Sequence, residues 1–409
     1  MQIKVSAPAS IHAEIQLPAS KSISNRALII NALAKGTYTP DNLSDCDDTM
    51  VMIKALTSQD ETIDIMAAGT AMRFLTAFLS VTKGTRVITG SQRMQQRPIE
   101  VLVNALKMLG AEIEYAGNEG FPPLRISGNP LEGGAISLKG NISSQYISAL
   151  LMIAPVLKNG LKLTLTGDII SKPYINLTLQ LMKDFGAKAE WTANDCIEVL
   201  PKPYMSVPFK VESDWSAASY WYQMAALAPE AKIELLGVFP DSYQGDSKVA
   251  ELFVDLGVET IFTSRGALLM KTSRNCERMD YNFINEPDLA QTFVVTCAVL
   301  GIPFRFSGLQ SLKIKETDRM AALIAELGKL GYVLKEEENS VLSWDGEHQH
   351  ISENPAIMTY EDHRMALAFA PACLRVPAFT ICEPLVVSKS YPHYWEDLSK
   401  AGFSIQAVD

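Results

Sequence analysis

Basic side chains near both ends of the chain stand at predicted helix starts, where an anion could bind. In LPASKSISNRALIINALA, Lys21, Ser22 and Arg26 gather at the beginning of a helix with an apolar stripe. The free N–H groups and the dipole of a helix start favour a negative charge. For this segment alone, a capped surface helix with two solvated cations is equally acceptable. Together with basic residues further along, it predicts a site for a small, multiply anionic ligand; the other candidates are Arg97, Lys315, Arg364 and Lys389.

Further helix starts in the first half of the chain are small and polar. They occur in AAGTAMRFLTAFL, in GNISSQYISALLMIAP and in the stretch from Asp168 to Tyr174. Gly69 would let the backbone approach a ligand closely, and Arg73 is unusual on so apolar a helix. Each start could be only an N-cap, and Arg93 with Arg97 could be a solvent-facing pair. Taken together, these helix starts are more typical of a site that binds the hydroxyl and phosphate groups of a ligand. Their polar residues are Thr70, Ser143, Ser144, Gln145, Ser171, Lys172 and Tyr174.

Two charged segments in the second half of the chain add acids to these bases. LKIKETDRMAALIAEL places a lysine and an arginine on one helical face, although a KETDR run alone is usually a solvated helix start. TYEDHRMALAFAP sets charges at the mouth of a helix too apolar to be exposed, and such charges need a partner. The candidates are Lys315, Glu316, Arg319, Asp362, His363 and Arg364, together with the individually unremarkable Asp288 and Lys389.

The composition is that of an ordinary soluble globular protein. A chain of 409 residues that is 47% hydrophobic exceeds one core, so we expect two domains. The net charge of -10 argues against nucleic acid or an acidic membrane as a partner. The six cysteines and five histidines lack metal-ligand spacing, which predicts reduced thiols and no metal. Without a signal-like or membrane-spanning segment, we expect a cytoplasmic protein.

A helix that ends in glycine and is followed by an alternating strand recurs along the chain. The turn glycines are Gly110, Gly186, Gly257, Gly331 and Gly402, at intervals of 76, 71, 74 and 71 residues by subtraction. Glycine suits this position because the residue after a helix often adopts the left-handed conformation. A first copy at 52–65 lacks its glycine. The pattern predicts six α/β units grouped as three plus three, although helix, glycine, strand is also common in any α/β protein.

These segments together resemble the 5-enolpyruvylshikimate-3-phosphate synthase family of enolpyruvyl transferases. The resemblance runs in order through LPASKSISNRAL, AGTAMR, RMQQRP, ISSQY, SKPY, SDWSAASY, DSYQGDS, IKETDR, EDHRMA and SKSYPHYW, and covers nearly the whole chain. It implies two inverse α/β domains, each built from three βαβαββ units. Residues 20–212 would form one domain, residues 1–19 and 213–409 the other, and the active site would occupy the interdomain cleft.

The resemblance also implies roles for individual residues. Two small-molecule substrates are expected, shikimate 3-phosphate and phosphoenolpyruvate, with no cofactor. The expected shikimate 3-phosphate ligands are Lys21, Ser22, Arg26, Ser143, Ser144, Gln145, Ser171, Tyr174, Asp288, Ser311 and Lys315. The expected phosphoenolpyruvate ligands are Lys21, Gly69, Arg97, Gln145, Arg319, His363, Arg364 and Lys389.

The implied reaction joins the 5-hydroxyl of shikimate 3-phosphate to carbon 2 of phosphoenolpyruvate. We assign Glu316 as the acid towards carbon 3, and Asp288, with Lys21, as the base for the hydroxyl. The resulting tetrahedral intermediate loses phosphate and the product enters the shikimate pathway to chorismate and aromatic amino acids. The family resemblance further implies a monomer, and Gly69 predicts sensitivity to glyphosate because an added methyl would crowd such an inhibitor.

Three departures from the family pattern concern neighbouring contacts rather than charged groups. Ala67 and Ser311 each stand where asparagine is usual, and Phe74 replaces a common proline. Two other functions remain as alternatives. The sister enzymes that act on a UDP-linked amino sugar typically carry a loop cysteine, which the run from Gly90 to Pro98 lacks. A non-catalytic phosphometabolite-binding protein would need the cations but not the acids Asp288 and Glu316.

Overall fold

In the computed structural model, which describes residues 1–376 and 379–408, the chain divides into two compact units. The contiguous unit is Ala19–Glu212, and the split unit joins Met1–Pro18 to Ser213–Asp409. Each unit has its own cluster of buried hydrophobic residues. The chain opens with two strands of the split unit, β1 (Gln2–Ser6) and β2 (Ile11–Gln16).

Helices and short strands alternate in the contiguous unit. Its helices are α1 (Lys21–Leu33), α2 (Asp47–Thr57), α3 (Gly69–Val81), α4 (Glu100–Met108), α5 (Ser144–Ile153) and α6 (Lys172–Asp184). Its strands are β3 (Thr62–Asp64), β4 (Gly84–Thr89), β5 (Glu112–Tyr115), β6 (Leu124–Gly128), β7 (Gly134–Lys139), β8 (Leu161–Thr166), β9 (Ala189–Ala193) and β10 (Cys196–Val199).

The strands of this unit form two four-stranded sheets of the same design. Their strand orders are β3-β4-β6-β5 and β7-β8-β10-β9, and in each the first pair is parallel and the others are antiparallel. Helices α3 and α5 are buried along almost their whole length because they are apolar on nearly every side. Their polar N-terminal residues are therefore the part of these helices that is left for a ligand.

The split unit continues the same alternation. Its further helices are α7 (Trp215–Leu227), α8 (Val249–Leu252), α9 (Ala290–Leu300), α10 (Arg319–Lys329), α11 (His363–Phe369) and α12 (Tyr394–Lys400). Its further strands are β11 (Ala231–Leu236), β12 (Val258–Phe262), β13 (Gly266–Lys271), β14 (Met279–Asn282), β15 (Phe304–Ser307), β16 (Lys335–Glu337), β17 (Val341–Trp344), β18 (Ala356–Ile357), β19 (Thr380–Cys382) and β20 (Ser404–Val408).

Three sheets of the split unit repeat the design found in the contiguous unit. Their strand orders are β12-β13-β11-β2, β14-β15-β17-β16 and β18-β19-β1-β20. Two of these sheets include a strand from the first residues of the chain: β2 pairs in parallel with β11, and β1 pairs antiparallel with β19 and β20. Short βαβαββ modules thus recur in both units, and the predicted α/β class is confirmed.

The turn glycines of the predicted repeat all adopt the left-handed conformation. Their φ angles are 103° at Gly110, 82° at Gly186, 82° at Gly257, 94° at Gly331 and 93° at Gly402. Each glycine reverses the chain from a helix into an antiparallel strand at the edge of its sheet. The helix–glycine–strand pattern is therefore confirmed at all five glycines.

The first copy of the pattern differs from the other five. Helix α2 ends without glycine, and Ser58 leaves it in an extended conformation, with φ -67° and ψ 142°. The next strand, β3, pairs in parallel with β4 and so begins the following module. In the described residues, the segment that contains α1 and α2 has no four-stranded sheet of its own. Its β-pairing is an isolated parallel bridge between Asp41 and Lys210. Of the six similar units that the pattern predicts, five have a four-stranded sheet in the described residues, and the first, which lacks the glycine, has only this bridge.

A glycine substitution should show how strongly the repeat depends on these turns. An alanine at Gly257 would have to keep the left-handed backbone conformation, with φ 82°. Its Cβ would also lie 2.9 Å from the carbonyl oxygen of Thr272. We expect Gly257→Ala to lower the free energy of unfolding by about 2–3 kcal/mol. Gly301→Ala is the control, because its φ is 70° but its Cβ would meet open space; it should lose only about 1 kcal/mol. Urea unfolding measures both losses, and equal losses would contradict the prediction.

Candidate active site

The start of α1 holds a lysine beside a carboxylate. Ser20 caps the helix, and its hydroxyl accepts a hydrogen bond of 3.5 Å from the N–H of Ile23. Lys21 Nζ lies 3.7 Å from Asp48 Oδ2 in the first turn of α2, and only 16% of the lysine side chain is exposed. Lys21 is thus an oriented cation at a helix start rather than a freely solvated one.

Arg26, one turn further along α1, is buried and bound within the contiguous unit. It donates to Thr178 Oγ1 at 2.7 Å, to Ser148 Oγ at 3.2 Å and to the carbonyl of Ser22 at 2.9 Å. Its guanidinium also lies 5.2 Å from the centre of the Phe74 ring, and burial lowers the pKa of Arg26 to about 10. These bonds tie α1 to α5 and α6. The predicted role of Arg26 as a substrate ligand must use the donors that remain.

Arg97 lies directly against the first residue of α3. A Cβ added to Gly69 would be 2.6 Å from a terminal nitrogen of the Arg97 guanidinium, so the absence of a side chain is what admits the arginine. In the described part of the chain, Arg97 Nε is buried without a hydrogen-bond partner. A planar guanidinium with an unused donor matches the two oxygens of a carboxylate or phosphate. The structure therefore brings Gly69 and Arg97 together, as a shared anion site requires.

Arg73 has a different role from Arg97. Its guanidinium donates to the carbonyl of Gly69 at 3.3 Å and to that of Pro98 at 3.2 Å, and it lies over the Tyr146 ring. Arg73 thus fastens the segment that carries Arg97 to the start of α3. This internal use explains a charged residue on so apolar a helix.

The starts of α5 and α6 place the predicted polar ligands. Ser143 caps α5 by accepting a bond of 3.3 Å from the N–H of Gln145, whose side chain donates to Thr70 at 3.2 Å, and Ser144 is the first residue of the helix. Ser171 precedes α6 with φ 53° and makes no side-chain cap bond, and Tyr174 lies in the first turn. A left-handed serine costs roughly 1–2 kcal/mol, and such strain is typical of functional sites.

In the split unit, Asp288 is surrounded by three basic side chains. Its Oδ2 lies 2.7 Å from Arg364, and its Oδ1 lies 3.4 Å from Arg319 and 3.9 Å from Lys315. Arg364 also donates to the hydroxyl of Tyr220 at 3.2 Å. Desolvation lowers the pKa of Lys315, while the charge of Asp288 opposes that shift. These predicted residues form one network, in which a carboxylate is held by cations.

Arg319 joins the remaining acids to this network. It begins α10, is only 2% exposed, and binds Asp362 Oδ2 at 2.6 Å and Glu316 Oε2 at 2.9 Å. Burial acts to lower the pKa of Arg319, but Asp362 and Glu316 outweigh it and the pKa is raised. Glu316, whose side chain is 21% exposed, is therefore both oriented and accessible.

Asp362 also positions the residues that follow it. It caps α11 by accepting a bond of 2.9 Å from the N–H of Arg364, with the buried His363 between them. Lys389 donates at 3.0 Å to the carbonyl of Glu361, the residue before Asp362. Ser311 lies in the 3₁₀ turn Gln310–Ile314, which leads into Lys315. His363 Nδ1 lies 3.8 Å from Asp362 Oδ1, so the predicted residues of the split unit other than Ser311 all have described contacts in or beside this cluster.

Asp246 is a buried carboxyl that sequence reasoning missed. It accepts a short hydrogen bond from Ser216 and is only 3% exposed. Burial, reinforced by the charge of Asp288, raises the pKa of Asp246 to about 7. The DSYQGDS segment was part of the family resemblance, but an acid after glycine in a polar turn carries no sign of burial. Its environment depends on α7, which lies 30 residues earlier in the sequence.

Metal ligands and membrane helices are absent from the described part of the chain. No group of three or more histidine, cysteine, aspartate or glutamate side chains there could hold a metal ion. No described helix has the length and apolarity that a membrane crossing requires. All six cysteines are free thiols.

Replacing Asp246 should change how stability depends on pH. The folded pKa of about 7 exceeds the unfolded value of about 3.9, so the folded state keeps a proton that the unfolded state loses. Stability from this group is therefore complete below about pH 4 and is lost as the pH rises towards 7, by on the order of 4 kcal/mol. We expect Asp246→Asn to gain stability relative to the parent protein over this range.

Urea unfolding at several pH values measures this difference. The control is Asp241→Asn, which removes an exposed acid from the same DSYQGDS segment and should leave the pH slope unchanged. A constant difference between Asp246→Asn and the parent protein from acid to neutral pH would contradict the prediction.

Comparison with known proteins identifies the family. The family model for EPSP synthase (3-phosphoshikimate 1-carboxyvinyltransferase) matches residues 5–59 and 56–398. A 3-phosphoshikimate 1-carboxyvinyltransferase of Bacteroides fragilis is 67% identical over 406 residues, which cover 99% of each chain. One from Aliivibrio fischeri is 36% identical, over 95% of this chain and 97% of its own.

Solved structures agree on the fold. An EPSP synthase structure from Acinetobacter baumannii matches with a TM-score of 0.78 and 20% sequence identity, and the match covers 100% of both chains. At this identity the likeness concerns the fold alone. With the family model and the curated relatives, it leads to one conclusion: the chain belongs to the EPSP synthase family, whose members are 3-phosphoshikimate 1-carboxyvinyltransferases.

Proposed function

We propose that the residues described above carry out the family's reaction, transfer of the carboxyvinyl group of phosphoenolpyruvate to the 5-hydroxyl of shikimate 3-phosphate. The observation that carries the proposal is the network around Asp288, which joins two partly exposed carboxylates to three cations. A site that only bound anions would need the cations but would gain nothing from Asp288 and Glu316. An enzyme that moves protons while it stabilises phosphate needs both.

In this proposal, phosphoenolpyruvate is bound mainly by arginine and lysine side chains from both units. In the contiguous unit, the end of the Arg97 guanidinium lies against Gly69, and its buried Nε has no partner among the described residues, which suits a carboxylate or phosphate. In the split unit, the backbone N–H of Arg364 donates to the side chain of Asp362, which caps the helix. Lys389 donates to the carbonyl of Glu361, the residue before Asp362. The full proposed set is Lys21, Gly69, Arg97, Gln145, Arg319, His363, Arg364 and Lys389.

Shikimate 3-phosphate is assigned to the polar helix starts. Ser171 supports this assignment, because its strained backbone places a hydroxyl that does not cap the helix. The proposed set is Lys21, Ser22, Arg26, Ser143, Ser144, Gln145, Ser171, Tyr174, Asp288, Ser311 and Lys315. Arg26 has few donors left for the substrate, since three of its N–H groups already donate to Thr178, Ser22 and Ser148 within the unit.

The chemistry proceeds by balanced proton transfers. Glu316 gives a proton to carbon 3 of phosphoenolpyruvate while Asp288, with Lys21, accepts the proton of the 5-hydroxyl, and the oxygen bonds to carbon 2. Carbon 3 of the tetrahedral intermediate then returns a proton to the Glu316 carboxylate, the C–O bond to phosphate breaks, and the carbon–carbon double bond forms again. The cations stabilise the charge of the departing phosphate. We also propose that the enzyme acts as a cytoplasmic monomer in aromatic amino acid biosynthesis.

The acid role of Glu316 is tested by Glu316→Gln. The amide oxygen can still accept the bond from Arg319, so the geometry is kept while the acidic proton is lost. We expect kcat to fall by about 10²- to 10⁴-fold with little change in shikimate 3-phosphate binding. The assay is phosphate release from phosphoenolpyruvate, which should depend on shikimate 3-phosphate and not on a UDP-linked amino sugar.

Glu347→Gln, at an exposed acid that pairs with Lys335, is the matched control and should leave kcat unchanged. Undiminished turnover of Glu316→Gln would remove this residue from the mechanism. Phosphate release by the parent enzyme with the UDP-sugar instead of shikimate 3-phosphate would overturn the proposed acceptor.

The contact between Gly69 and Arg97 is tested by Gly69→Ala. The added methyl would lie 2.6 Å from the arginine and must displace it. We expect KM for phosphoenolpyruvate to rise roughly tenfold, the value of one charge-assisted hydrogen bond, with a much smaller change for shikimate 3-phosphate. Gly328→Ala is the control, because its methyl would meet only the flexible Gln349 amide at 3.3 Å. Equal KM values for Gly69→Ala and the parent enzyme would exclude a role for this contact.

A further inference from the structure

Glu326 is a buried carboxylate on α10, away from the charged groups at the start of that helix. Its exposure is 0%, yet both oxygens are used. Oε2 accepts from Lys329 Nζ at 2.6 Å and from the N–H of Met358 at 3.0 Å, and Oε1 accepts from the hydroxyl of Tyr360 at 2.5 Å. A buried carboxylate is unfavourable unless it is hydrogen-bonded in this way. Two of its three partners belong to the segment that leads into α11.

That segment has a strained backbone immediately before the anion-binding residues. Tyr360 and Glu361 are consecutive non-glycine residues in the left-handed region, with φ angles of 54° and 55°. This conformation is unfavourable for a residue with a Cβ, and it persists only where surrounding contacts enforce it. The next residue is Asp362, which caps α11, and the carbonyl of Glu361 accepts the bond from Lys389. The conformation at Tyr360 and Glu361 therefore sets where these groups lie.

Helix α10 holds the segment at two points. Arg319, at the start of the helix, binds Asp362, and Glu326, seven residues later, binds Met358 and Tyr360. Seven residues correspond to about two helical turns, so both side chains project from similar faces of one rigid element, about 10 Å apart along its axis. Partial burial, with the bond to Glu326, raises the pKa of Tyr360 to about 12, so its hydroxyl remains a donor at neutral pH.

We propose that Glu326 and Tyr360 are positioning residues, which hold the strained Met358–Glu361 backbone so that Arg364 and Lys389 are placed for phosphoenolpyruvate. This inference rests on the proposed function of those two cations. Neither Glu326 nor Tyr360 touches the substrate in this proposal. Their effect passes through the backbone of Glu361 to Lys389, and through Asp362 to Arg364.

The test is steady-state kinetics of Tyr360→Phe, which removes one hydrogen bond and keeps the aromatic ring. We expect KM for phosphoenolpyruvate to rise roughly three- to tenfold, with kcat and the KM for shikimate 3-phosphate changed less than about twofold. Glu326→Gln, which keeps the shape of the carboxylate, should shift the same KM in the same direction. Tyr332→Phe is the matched control, a half-buried tyrosine of the split unit that packs on Trp344, and should change neither KM.

Hydrogen exchange supplies a readout that does not need turnover. In Tyr360→Phe, amide exchange should become faster in residues 358–364 and stay unchanged in α3 and α5 of the contiguous unit. Lower stability with both KM values and local exchange unchanged would overturn the proposal, because the bond would then only support the fold. Absence of phosphate release by the parent enzyme would refute the proposed function instead. The exchange result would still test whether Glu326 and Tyr360 hold the Met358–Glu361 backbone.

Discussion

The buried ion pair between Arg319 and Asp362 is the interaction on which the split-unit site depends. Its members are 2% and 0% exposed, so neither charge is screened by water. Loss of one partner would leave the other as an uncompensated buried charge, which is strongly destabilising. Through this pair α10 and α11 are joined at their N-terminal ends, and the same arginine orients Glu316 while the same aspartate caps the helix that carries Arg364. One interaction therefore aligns a proposed acid with a proposed anion ligand.

The charges of this network are close to balanced before substrate binds. The basic members are Lys315, Arg319 and Arg364, and the acidic members are Asp288, Glu316 and Asp362. Under the proposed function, an anionic substrate that takes donors from Arg364 weakens its hold on Asp288. A carboxylate released from a cation is a stronger base, because an adjacent positive charge stabilises its ionised form. Substrate binding and activation of the base are therefore coupled by the same arginine, without a change in fold.

The sequence was most informative where a residue type reports on local backbone geometry. The turn glycines, the caps at Ser143 and Asp362, and the pairing of Arg319 with Glu316 three residues away all follow from local rules. Sequence patterns do not contain the partners that folding brings from far along the chain. Arg26 was expected as a substrate ligand or a solvated cation, but its bond to Thr178, 152 residues away in sequence, makes it a buried residue that joins two helices. Asp246 and Glu326 were missed for the same reason, since burial by other elements gives each its character.

The two units differ in how they offer cations, and this difference has a chemical consequence. Arg97 in the contiguous unit has a buried donor without a partner in the described residues, so an anion gains a hydrogen bond there without breaking another. Arg319 and Arg364 in the split unit already bind carboxylates, so an anion must compete for them. Under the proposed function, binding energy should therefore come mainly from groups such as Arg97, whereas in the split unit part of it would change the protonation of Asp288 and Glu316. This division places affinity and proton transfer on separate side chains, because a cation that only bound its anion more tightly would not lower the barrier to the reaction.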